Sequence, residues 1–197
     1  MIQKIAENIV IKQLECQNIL EEDKDVYKYG YVLVLGAVVN IVLAFFVGII
    51  FHEILFVLSF LLIFIPLRSF CGGWHASSSI NCMVISNVII FFVTLVYKNH
   101  WLGNNNSFLV ILDVICMLLI VLCRTQDSKA KCMSLEEKDR CQRIVKFQLC
   151  VHFVMMMFMA YINYCPGVQL FLLIHIVQGL LLWCGKWKNE IEKRKVT

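Results

Sequence analysis

Residues 68–82 read RSFCGGWHASSSINC, a polar stretch between two strongly apolar runs that we call the island. It holds two Gly, one His and two Cys, whereas the runs on either side carry few polar side chains. Apolar runs that stop at a polar, glycine-bearing segment are typical of membrane-spanning helices joined by a loop. The island therefore separates two membrane segments, and it is where we expect the chemistry.

The composition is far more apolar than that of a soluble domain. Of the 197 residues, 60% are hydrophobic and 16% are charged, and the mean hydropathy is +0.76. Ordinary soluble domains have roughly 45–50% apolar and about 25% charged residues. One soluble core of this size cannot hide that excess, so a bilayer is the solvent that fits. We predict an all-α integral membrane protein, and its modest net charge of +4 gives no reason to expect a nucleic-acid partner.

Outward from the island, polar breaks divide the chain into six apolar runs. The runs are Tyr31–Phe51, Ile54–Leu67, Met83–Tyr97, Phe108–Cys123, Phe147–Tyr164 and Val168–Gly185. The run before the island ends at Pro66–Leu67, and its fourteen residues cover only about 21 Å of a hydrocarbon core that is ~30 Å thick. It must extend at its ends or thin the bilayer. We predict about six transmembrane helices, or four plus a re-entrant pair formed by the two runs beside the island.

The N-terminal segment, residues 1–28, is polar but periodic. Apolar side chains recur at three- and four-residue intervals between Lys, Glu and Gln, which is typical of an amphipathic helix. No short apolar core with a small-residue cleavage site is present, so we do not interpret it as a signal peptide. We expect it to lie on the membrane surface, with residues 29–197 forming one polytopic domain. A solvated helix packed on a partner is the alternative.

In the six-span arrangement, nearly all basic residues lie on one side of the membrane. In a six-span chain, every Lys and Arg except Lys98 lies in the N-terminal segment, the island, residues 124–146 or the C-terminal tail. These four segments share one side of the membrane, so the positive-inside rule predicts that both termini and the island are cytoplasmic. The re-entrant alternative gives the same orientation, because removing two spans preserves parity.

The island places a base near a nucleophile, since His75 precedes Cys82 by seven residues. The thiolate is the reactive form of cysteine, and a thiol with a pKa of ~8.5 needs help to ionise at neutral pH. A helix that starts near Cys82 would favour a negative sulfur, and His75 could accept its proton. Gly72 and Gly73 would let backbone N–H groups approach a reacting carbonyl. These features predict a Cys–His site.

Other interpretations remain open from the residues alone. Cys71 could be the nucleophile, or the Cys and His could be chance neighbours in a loop. A metal site of Cys71, His75 and Cys82 lacks an obvious fourth ligand, so no metal is predicted. Asp113 interrupts an apolar run and should face the bundle interior or water, where it could orient His75. We interpret four further histidines as isolated polar packing residues: His52, His100, His152 and His175.

The island resembles that of the accessory gene regulator B (AgrB) family of bacterial quorum-sensing peptide processors. The specific part is the constellation of Arg68, Gly73, His75 and Cys82 between short apolar runs. The resemblance covers nearly the whole chain, with an amphipathic N-terminus, six apolar runs and a basic loop after the fourth. One departure is that residues 126–131, in that basic loop, lack the prolines that the family leads us to expect.

This resemblance implies a membrane cysteine endopeptidase that cuts the C-terminal tail from a small cytoplasmic AgrD-like pro-peptide. Cys82 would be the nucleophile and His75 the base, with supporting roles for Arg68, Gly72 and Gly73. The product would close to a thiolactone or lactone for quorum sensing, and no cofactor would be needed. The protein would be multi-pass in the bacterial plasma membrane and homo-oligomeric, a dimer in the simplest case. A non-proteolytic peptide exporter and a structural membrane protein are the alternatives.

Overall fold

The computed structural model describes residues 2–73, 79–123 and 134–196, and their regular structure is helical. The helices are α1 (Ile2–Glu15), α2 (Lys24–Phe51), α3 (Ile54–Cys71), α4 (Ser79–Lys98), α5 (Asn106–Leu122), α6 (Leu135–Tyr161) and α7 (Cys165–Val196). A single 3-10 turn, Glu21–Asp23, precedes α2. These ranges contain no strand, and the all-α prediction is confirmed.

Apolar helices long enough to cross a bilayer make up most of the fold. Five of them, α2, α3, α4, α6 and α7, are candidate spans, while α5 is apolar but has 17 residues. At ~1.5 Å per residue α5 is about 26 Å long, close to the ~30 Å of a hydrocarbon core. Large apolar side chains such as Leu55 and Ile111 are exposed on the outside of the bundle, as lipid contact requires. Because α3 and α4 are separate candidate spans, the arrangement favours six spans over a re-entrant pair.

The two helices beside the island gain their length from the island itself. Helix α3 continues through Pro66 to Cys71, beyond the end of the apolar run, which is one of the two solutions predicted for so short a run. A proline removes one helical N–H donor but does not prevent later residues from pairing. The helix ends where the Gly72 N–H donates to the Arg68 carbonyl at 3.2 Å, with Gly72 at φ +66°. Arg68 and Cys71 therefore belong to a helix rather than to a loop.

The predicted N-terminal helix is shorter than residues 1–28. Helix α1 stops at Glu15, because Gln17 adopts φ +54° and the Asn18 N–H donates to the Gln13 carbonyl at 3.0 Å. This pairing is a Schellman-type helix stop. Helix α1 packs against α2, and Lys28 of α2 pairs with Glu7 at 3.0 Å. Residues 24–28 thus extend the first span, and the location of α1 on the membrane surface stays a prediction.

The charged segment before the fifth span is not a separate helix. Ser134 and Glu137 form a reciprocal capping box that starts α6 at Leu135, and the helix then runs without a break to Tyr161. Residues 135–146 are therefore a charged extension of the span.

Helix α7 is the centre of the bundle. It contacts α3, α4, α5 and α6, and its apolar window is the most buried of the candidate spans. The Cys165–Pro166–Gly167 sequence, which separates the last two apolar runs, begins α7, since a proline in the first helical turn loses no hydrogen bond. We call the ends of the bundle the Gly103 end, where residues 99–105 meet 162–166, and the Gly72 end, where residues 68–73 meet the second half of α7.

Candidate active site at the Gly72 end

The last turn of α3 supplies the first residues of the site. The Arg68 side chain is half-buried, and Cys71, one turn later, is 2% exposed. The Arg68 guanidinium donates to the Gly72 carbonyl, the point at which the chain leaves the helix. A basic side chain in the last helical turn also interacts favourably with the helix carbonyls. Arg68 is thereby fixed over the start of the island.

The two glycines adopt backbone conformations that other residues rarely tolerate. Gly72 has φ +66° and Gly73 has φ +119°. A Cβ on Gly73 would collide with Arg68 Nη1 and would lie 3.1 Å from the Leu181 carbonyl oxygen of α7. The glycines therefore let the backbone lie directly on α7, an approach that any larger residue would block.

Cys82 lies in the first turn of α4, as predicted from the apolar run that follows it. Its thiol is partly exposed, whereas the Cys71 thiol is buried. The Arg68 guanidinium is close enough to both Cys82 and Cys71 to interact with them electrostatically. Of the two cysteines in the island, Cys82 is the one that a substrate could reach.

The predicted base, His75, lies outside the described residues. Its position relative to Cys82 therefore stays a prediction from the sequence. The alternative metal site also includes His75 and is untested for the same reason. Within the described ranges, no group of three His, Cys, Asp or Glu side chains could hold a metal ion.

Sequence reasoning missed Gln178, which completes the Gly72 end from α7. Its side chain is fully buried, and its Nε2 donates to the Gly72 carbonyl at 3.3 Å. The signal for it in the sequence is a polar residue inside an apolar run. Its role depends on α7 packing against α3, which periodicity does not show.

Two histidines interpreted as isolated packing residues instead form a buried cluster with Asp113. His175 Nδ1 lies 2.7 Å from Asp113 Oδ1, and His175 Nε2 lies 3.2 Å from His152 Nδ1. Asp113 and His175 are fully buried, so the prediction that Asp113 faces the bundle interior is confirmed. The cluster ties α5, α6 and α7 together, and it gives Asp113 a partner other than the predicted His75.

A second Cys and His meet at the Gly103 end. His100, Cys165 and Gln169 line a pocket of about 370 Å³ together with Asn104, Asn106, Asn163 and Pro166. The lining is rich in amides and has no Lys, Arg, Asp or Glu among the residues that the structure describes. This pocket therefore combines a thiol with an imidazole, but none of the described residues that line it is basic.

Comparison with known proteins identifies related sequences. The family model of Accessory gene regulator B matches residues 2–182. AgrB-like protein 2 of Clostridium perfringens strain 13 is 27% identical over 111 residues, which is 56% of this chain and 52% of that protein. An AgrB-like protein of C. perfringens strain SM101 is 26% identical over 106 residues, covering 54% of this chain and 50% of that protein. The matched region thus spans about half the length of these curated relatives, and no solved structure matches the chain.

Proposed function

Because the chain belongs to the accessory gene regulator B family, we propose that it is a membrane cysteine endopeptidase that processes a small AgrD-type pro-peptide. The observation that carries the proposal is the grouping at the Gly72 end. A reachable thiol, Cys82, lies near the Arg68 guanidinium, and that guanidinium holds the backbone of the Gly72–Gly73 pair. A nucleophile, a positive charge and a glycine backbone are the parts that acyl transfer from a peptide requires.

The first chemical step is attack by Cys82 on the carbonyl at the cleavage point. His75 takes the thiol proton, the sulfur forms a bond to the carbonyl carbon, and the carbonyl oxygen becomes an oxyanion. Collapse of this intermediate breaks the C–N bond, and His75 returns its proton to the leaving amine. The tail departs, and the rest of the peptide is held as a thioester on Cys82.

The second step transfers the acyl group to the peptide itself. An internal Cys thiolate attacks the Cys82 thioester, closes a thiolactone ring and releases Cys82 as a thiolate. Because one thioester replaces another, this exchange is nearly neutral in free energy. Exclusion of water therefore decides between ring closure and hydrolysis. An internal Ser would give a lactone by the same route.

The charge distribution supports an orientation in which the Gly72 end and both termini face the cytoplasm, where an unexported precursor would be met. The charged first turns of α6 and the amphipathic α1 would then contact a precursor by charge attraction and apolar packing. A homo-oligomer, a dimer in its simplest form, belongs to the same proposal.

The test is cleavage of an AgrD-type precursor, an amphipathic peptide with a central Cys and an acidic C-terminal tail, by protein in lipid nanodiscs. Cys82→Ala and His75→Ala should each reduce cleavage to background. Cys71→Ala and Cys165→Ala should keep cleavage within about twofold, since neither thiol forms the acyl bond. Cleavage by Cys82→Ala in correctly inserted protein would refute the assignment.

A further inference from the structure

The peptide unit between Gly72 and Gly73 is held at one of its two polar groups. Its carbonyl accepts from two side chains on different helices, Arg68 of α3 and Gln178 of α7. Its N–H, which belongs to Gly73, donates to no backbone carbonyl among the described residues. The carbonyl of this unit is thus hydrogen-bonded twice, whereas its N–H pairs with no described backbone carbonyl although Gly73 is buried.

Because the peptide unit is planar, the direction of its carbonyl fixes the direction of its N–H. In a trans peptide the C=O and N–H bonds point to opposite sides. Because the Gly72 carbonyl points towards Arg68 and Gln178, the Gly73 N–H must point away from both side chains. Rotation of the unit would break both hydrogen bonds, and the contact of Gly73 with the Leu181 carbonyl of α7 limits its translation.

We propose that Gln178 is a positioning residue of the peptidase: with Arg68, it locks the Gly72–Gly73 peptide so that the Gly73 N–H stabilises the oxyanion formed at the substrate carbonyl. This inference rests on the proposed function and adds a residue and an atom to it. Preorganised backbone donors are effective because they need no rearrangement as charge develops in the transition state. The Gln178 amide supplies that preorganisation without contacting the substrate.

The burial of Gln178 agrees with this role. Its side chain is fully buried in the bundle, and Oε1 accepts no hydrogen bond from the described residues. A buried amide with an unsatisfied oxygen is costly, and an apolar residue of similar shape would avoid that cost. An apolar residue would lack the Nε2 donor to Gly72 and the hydrogen bond between this amide and the Cys71 side chain.

The same helix offers a matched control. Gln169 of α7 is 1% exposed, donates through Nε2 to the Gly103 carbonyl at 2.7 Å, and also has an Oε1 with no partner among the described residues. It repeats the Gln178 arrangement at the opposite end of the bundle. Gln178→Met and Gln169→Met remove the same donor and keep a similar side-chain length.

The experiment measures kcat and KM for cleavage of the AgrD-type precursor by full-length protein in nanodiscs, together with thermal unfolding of each variant. Gln178→Met should lower kcat about tenfold and leave KM within about twofold, because Arg68 still holds the carbonyl while the N–H loses its fixed direction. Gln169→Met should leave kcat within about twofold despite a similar loss of thermal stability. If Gln178→Met does not fold, Gln178→Leu decides, since its shorter apolar side chain also cannot donate to the Gly72 carbonyl.

An unchanged kcat in Gln178→Met or Gln178→Leu would overturn the inference. Equal losses of kcat in Gln178→Met and Gln169→Met, in step with their unfolding temperatures, would also overturn it by showing a purely structural role. Cys82→Ala, measured in parallel, separates this failure from that of the proposed function. If Cys82→Ala is inactive and Gln178→Met is fully active, only the role of Gln178 is refuted.

Discussion

The two ends of the bundle share a construction and differ in what surrounds it. At each end a glycine with positive φ, +66° at Gly72 and +72° at Gly103, presents its carbonyl to a buried glutamine of α7. Each end also has a cysteine, but among the described residues only the Gly72 end adds a guanidinium and a second glycine with positive φ. The hydrogen bond from a buried α7 glutamine to a glycine carbonyl therefore fixes the backbone at both ends of the bundle. The charge and the close backbone approach distinguish the candidate active site.

The largest expected difference between the ends comes from adding a methyl group to a glycine. Gly73→Ala would force a Cβ against Arg68 and the Leu181 carbonyl at φ +119°, which should cost about 3 kcal/mol in strain and overpacking and abolish cleavage. Gly103→Ala meets no atom within 4 Å, so only its φ of +72° is unfavourable, at about 1 kcal/mol. Thermal unfolding and precursor cleavage measure both effects. Equal losses of activity would show that the close approach to α7 has no special role.

Removal of the basic residue at each end should give the next largest difference. Arg68→Met loses a charged donor to the Gly72 carbonyl and the positive charge near Cys82, so cleavage should fall about 10- to 100-fold. Lys98, at the other end, lies 5.6 Å from the Phe51 ring centroid and is exposed. Lys98→Met should cost no more than about 1 kcal/mol of stability and leave cleavage unchanged. A similar loss of cleavage in the two variants would point to membrane topology rather than to the site.

The smallest difference is expected from the cluster that lies between the ends. Asp113→Asn replaces the carboxyl group that pairs with His175 by an amide, and intramembrane hydrogen bonds are worth about 0.6–2 kcal/mol. The change should lower the unfolding temperature while cleavage falls by no more than about threefold, because α7 loosens at both ends alike. Loss of cleavage with an unchanged unfolding temperature would instead place Asp113 in the catalytic machinery.

The fold was predictable because hydrophobic runs report membrane spans directly. Six apolar runs correspond to helices α2 to α7, but their ends could not be placed. The apolar run before the island ends at Pro66–Leu67, whereas α3 continues to Cys71 and ends at Gly72. An apolar run does not locate this end, because the pairing of later backbone groups decides where a helix stops.

The site was predictable only as far as it is local in sequence. The structure brings Arg68, Gly72 and Gly73 together and keeps Cys82 within electrostatic reach of Arg68, all within the island. Gln178 and the pairing of Asp113 with His175 were missed, because they join residues more than sixty positions apart. Such contacts depend on how α7 packs. Hydrophobic periodicity predicts which face of a helix is buried, but it does not predict which helix packs against that face.

Trapping of the acyl-enzyme tests the central claim most directly. Purified protein would be incubated with an AgrD-type precursor whose central Cys is replaced by Ala, so that ring closure cannot discharge the thioester. Mass spectrometry of the digested protein should then find the truncated peptide joined to Cys82 through a bond that hydroxylamine cleaves. An adduct on Cys71 or Cys165, or release of the tail by Cys82→Ala protein, would contradict the account.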